Sequence, residues 1–66
     1  MGIVEQLLAD FETQSGQQYQ IELNEGGTIH IHTEHVRIDL TKEEFLQVAD
    51  AISEGQEKLI QAKNEL

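Results

Sequence analysis

The chain has 66 residues, no cysteine and no proline, and its thirteen acidic side chains outnumber four basic ones for a net charge of −9. A domain of this size buries only about 60% of the surface of its unfolded chain; with neither a disulfide nor a thiolate cluster available it must rest on an apolar core, and self-association is expected. The charge repels phosphate backbones and anionic membranes, which excludes direct nucleic-acid binding from the expectations and favours a protein partner with a basic surface, although acidity also serves plain solubility.

Ile3, Val4, Leu7, Leu8 and Phe11 recur at the spacing of one helical face, while Glu5, Gln6, Asp10 and Glu12 take the other side. This predicts an amphipathic helix over 2–14, closed by Gly16 in the left-handed conformation that suits a helix end. From Tyr19 the period changes to two. Tyr19, Ile21 and Leu23 alternate with polar residues, predicting a strand over 18–24. The same alternation predicts strands over 28–33 and 35–40. Thr41 and Glu44 have the spacing of a capping box, which opens a helix predicted over 42–64.

Keeping each strand's apolar residues on one face fixes the pairing, because a slip by one residue turns every side chain over. A three-residue loop, Glu25-Gly26-Gly27, sets Leu23 opposite Ile29, Glu22 opposite His30, Ile21 opposite Ile31 and Gln20 opposite His32. A two-residue turn at Thr33-Glu34 then sets His32 opposite His35, Ile31 opposite Val36, His30 opposite Arg37 and Ile29 opposite Ile38. The expected architecture is a single α+β domain over 1–66. Its order is α-β-β-β-α, a three-stranded antiparallel meander with two helices on one face and a long C-terminal helix.

Phe45, Ile52, Leu59 and Leu66 recur every seven residues, as in a coiled-coil seam. The first half of this stripe reads as core. A helix of 23 residues is roughly 33 Å long, whereas a six-residue strand spans about 20 Å, so the second half overhangs the sheet. Ile52, Gly55, Leu59, Ile60, Ala62 and Leu66 are therefore assigned to an oligomer interface, with Gly55 either a close approach of two backbones or a break.

Three histidines fall within six positions: His30, His32 and His35. The expected pairing puts them on the polar face of the sheet with Gln20, Glu22, Arg37 and Asp39, and this face is the candidate partner-binding surface. Three imidazoles on one face are also a candidate zinc set, and three protein ligands plus water is the open arrangement of catalytic zinc. A flat sheet lacks the pocket that zinc chemistry requires, and cross-strand charge pairs explain the same residues, so no metal or other cofactor is expected. Histidines also make a recognition face responsive to pH near neutrality. The carboxylates are scattered, no phosphate-binding loop is present, and Ser15 and Ser53 lack a neighbouring His and acid, so no catalytic residues are assigned and an enzyme is not expected.

No apolar run approaches the roughly 18 residues of a membrane span and the N-terminal stretch is acidic, so the expected location is cytoplasmic. Met1-Gly2 does not open a myristoylation signal, since position 6 is Gln6 rather than Ser or Thr. In size, charge and expected element order the whole chain resembles small acidic phage-encoded inhibitors of bacterial defence, including certain anti-CRISPR proteins. The likeness rests on no residue motif and carries over no functional residue. The segment HIHTEHVRIDLTKEEF, residues 30 to 45, is similar to stretches of small bacterial proteins and implies no activity. The leading expectation is a non-enzymatic homodimeric binding protein that sequesters or blocks a host macromolecule, as an anti-defence, antitoxin or immunity protein does. A metal-binding or pH-sensing module on the histidine face and a structural assembly subunit are the alternatives.

Overall fold

Among the described residues three glycines, Gly16, Gly26 and Gly27, carry the positive backbone angles, at φ of 92°, 112° and 87°. They sit at the tips of two hairpins in the computed structural model of the protein, which describes residues 4–65. The element order is β1 (Val4–Glu12), β2 (Gln18–Asn24), β3 (Ile29–His32), β4 (Arg37–Leu40) and α1 (Lys42–Glu65). Among the described residues the strands form one antiparallel meander in chain order, followed by one helix. The class is α+β as expected, but the sheet has four strands and a single helix accompanies it.

The segment expected as a helix over 2–14 is strand β1 from Val4 onward; residues 2 and 3 lie outside the described part. Its periodicity misleads for a physical reason. The β1–β2 register is irregular between Val4 and Gln6 and again between Leu7 and Ala9. These shifts place Leu7 opposite Glu22 on the outer face but Phe11 opposite Tyr19 on the inner one, so the apolar residues of β1 fall on both faces and the two-residue alternation that marks a strand is absent. Gly16 does adopt the left-handed conformation, but it closes a hairpin. The Gly16 N–H donates to the Thr13 carbonyl over 2.9 Å, and the Gln17 N–H donates to Thr13 Oγ1 over 3.0 Å.

The second hairpin follows the expected pairing throughout, with Gln20, Ile21, Glu22 and Leu23 opposite His32, Ile31, His30 and Ile29. The Asn24 N–H donates to the Thr28 carbonyl, leaving Glu25-Gly26-Gly27 as the loop. The third hairpin departs from expectation. Its tip is Glu34-His35, with the Thr33 N–H donating to the Val36 carbonyl, and His32 pairs with Arg37, Ile31 with Ile38, His30 with Asp39 and Ile29 with Leu40. The pairing has slid by two residues. That preserves every face but changes the neighbours, and the strands shorten from 28–33 and 35–40 to Ile29–His32 and Arg37–Leu40.

Helix α1 begins as expected. The Thr41 N–H donates to Glu44 Oε1 over 2.9 Å and the Glu44 N–H donates to Thr41 Oγ1 over 3.1 Å, a reciprocal cap contributing about 1 kcal/mol. The helix runs unbroken through Gly55 for 24 residues. Its main sheet contact is with β4. Contrary to the expectation that the first half of its apolar stripe is core, Ile52 remains 65% exposed and Val48 is also exposed. Among the described residues, Ile29 at 3% exposure is the one large apolar side chain that is buried.

Candidate functional site

Two surfaces stand out, one on each side of the sheet. Side chains paired across the outer face belong to Gln18, Gln20, Glu22, His30, His32, Arg37 and Asp39, joined from β1 by Asp10 and Glu12. Because the β3–β4 pairing slides by two residues, Asp39 stands beside His30, with His30 Nε2 3.6 Å from Asp39 Oδ1. Asp39 is also gripped by Arg37, whose Nε lies 3.0 Å from Oδ1 and whose Nη2 donates to Oδ2 over 3.2 Å. This two-pronged geometry fixes a carboxylate better than a lysine contact does. Diagonally across the sheet, His32 Nε2 lies 2.8 Å from Glu22 Oε1, and both side chains are partly buried. Gln18 Nε2 donates to Asp10 Oδ1 over 2.7 Å.

The expected seven-residue set is thus assembled except for one member. His35 sits at the hairpin tip, almost fully exposed, with Nε2 3.7 Å from its neighbour Glu34. The three histidines do not form a common ligand set, and among the described residues no three His, Asp or Glu side chains converge to hold a metal ion. His30 and His32 each meet a carboxylate, and neither meets a hydroxyl nucleophile among the described residues. The arrangement presents held carboxylates; it does not assemble a charge relay.

The inner side is a different surface. Phe11, Tyr19, Ile21 and Ile31 from the sheet and Phe45, Val48, Ala49 and Ile52 from the helix line an open groove of about 390 Å³. The Phe11 and Tyr19 rings, both in its lining, stack with centroids 5.0 Å apart. A second apolar hollow lies between Leu8, Leu23, Ile29, Lys42, Phe45 and Leu46. Sequence reasoning assigned the first half of the helical stripe to the core and so did not offer this side as a surface. No residue pattern distinguishes an apolar face covered by its own helix from one left open. Of the assigned interface positions, Ile52, Gly55, Leu59, Ile60 and Ala62 are exposed, and Leu66 lies outside the described residues.

No helix among the described residues is long and apolar enough to cross a membrane. Comparison with known protein families, curated proteins and solved structures found no match to the chain.

Proposed function

We propose that the protein is a non-enzymatic binding protein that sequesters or blocks a host macromolecule, with the outer face of its sheet as the contact surface and a basic protein as the partner. The observation that supports this most is the set of carboxylates that strand pairing gathers on one face, Asp10, Glu12, Glu22 and Asp39, against the single arginine Arg37. A preorganised anionic surface steers a cationic partner and loses little freedom on binding. Anti-defence, antitoxin and immunity proteins share this mode of action. Since the first described element is a strand, the likeness to small phage inhibitors retains size and charge as its basis. The two imidazole–carboxylate pairs favour a second reading of the same face as a pH-responsive contact.

Immobilised protein, exposed to the soluble proteins of its native host, should retain a basic protein that is released as salt rises. The double substitution Glu22→Lys and Asp39→Lys should abolish retention. Capture that is indifferent to salt and to both substitutions, or capture of nothing, would remove the proposal.

A further inference from the structure

The apolar inner groove is a half-built core, and we infer that a second copy of this chain completes it. The chain exposes 5452 Å². The surface-to-mass scaling of folded monomers gives about 4,250 Å² for a chain of 7.5 kDa, an excess of about 1,200 Å². Its Cα radius of gyration is 14.1 Å, whereas a compact chain of 66 residues has about 10.8 Å. The excess is apolar in character, since Leu8, Phe11, Ile38, Leu46, Ile52 and Leu59 are all exposed.

The size of the excess fits a second copy of the chain. Two copies that each bury about 1,200 Å² form an interface of about 2,400 Å², inside the range of roughly 2,000–5,000 Å² of obligate homodimers. An occupant needed for the fold itself must be present whenever the chain is made, and a second copy always is. A two-fold arrangement makes the surface self-complementary: the distal half of one helix, carrying Leu59 and Ile60, lies in the groove of the other protomer. Running the helices antiparallel opposes the two helix dipoles. Gly55 supports the same contact. A glycine inside a helix is less stable than alanine, and a Cβ added there would meet nothing within 4 Å in the lone protomer, so nothing in that protomer calls for it. A second helix crossing closely does. The outer face remains free, so this inference stands apart from the proposed function.

Sedimentation equilibrium of the full untagged chain at micromolar concentration tests it without any partner. The expected mass is about 15 kDa, twice the 7.5 kDa of one chain, and the thermal midpoint should rise with protein concentration. Gly55→Leu, which favours an isolated helix, should weaken the dimer at least tenfold. Ile52→Asp should abolish it. A folded monomer with a concentration-independent midpoint would overturn the inference, as would a dimer unaffected by both substitutions.

Discussion

Ile29→Ala should lower the free energy of unfolding by about 2–4 kcal/mol, read as a fall in the urea midpoint at unchanged slope. Ile29 lies on the inner strand β3 between Leu23 and Leu40 and is buried to 3% exposure. Strand partners on both sides hold the backbone apart, so the site cannot collapse around the smaller side chain and a cavity remains. The loss is a large share of the 5–15 kcal/mol typical of a whole domain. A change below about 1 kcal/mol would show that the core lies elsewhere.

Phe45→Ala should cost about 3–5 kcal/mol per protomer, the figure for a fully buried phenylalanine. In the single protomer Phe45 is only half-buried, at the junction of the groove and the second hollow. Truncation there would release only part of a phenylalanine's transfer free energy, about 1–2 kcal/mol. Denaturation of wild type and variant at two protein concentrations separates the cases. A large loss that grows on dilution belongs to a core shared by two chains. A small loss independent of concentration belongs to a surface residue.

Much of the architecture was legible because the in–out alternation of Tyr19, Ile21 and Leu23 against Ile29 and Ile31 admits one register once the three-residue glycine loop is placed. The cap at Thr41 and Glu44 was equally legible, since its chemistry is local. Two of the failures, in β1 and at the β3–β4 turn, have different origins. Strand β1 was concealed because its register irregularities spread its apolar residues over both faces and break the two-residue alternation, in a segment rich in helix-favouring Leu, Ala, Glu and Gln. Pairing with β2 overrides that propensity. The β3–β4 turn falls at Glu34-His35 rather than Thr33-Glu34, and because a two-residue slide preserves the faces, hydrophobic patterning cannot tell the two apart.

That slide alone reshaped the candidate site. It removed His35 from the histidine set and brought Asp39 beside His30, turning a possible three-imidazole cluster into two separate imidazole–carboxylate pairs. The apolar groove was invisible for another reason. The residues lining it have the pattern of a core, and only the exposure of Phe11 and Ile52 reveals it as an open surface.

The most direct measurement is an isotope-filtered NOE experiment on a mixture of labelled and unlabelled chains, which reports only contacts between copies. A helix seated in the neighbouring protomer's groove predicts cross-peaks from the Leu59 and Ile60 methyl groups to the Phe11 and Tyr19 rings and to Ile21 and Ile31. If those contacts are found only within one chain, or not at all, the groove is not closed by a second copy.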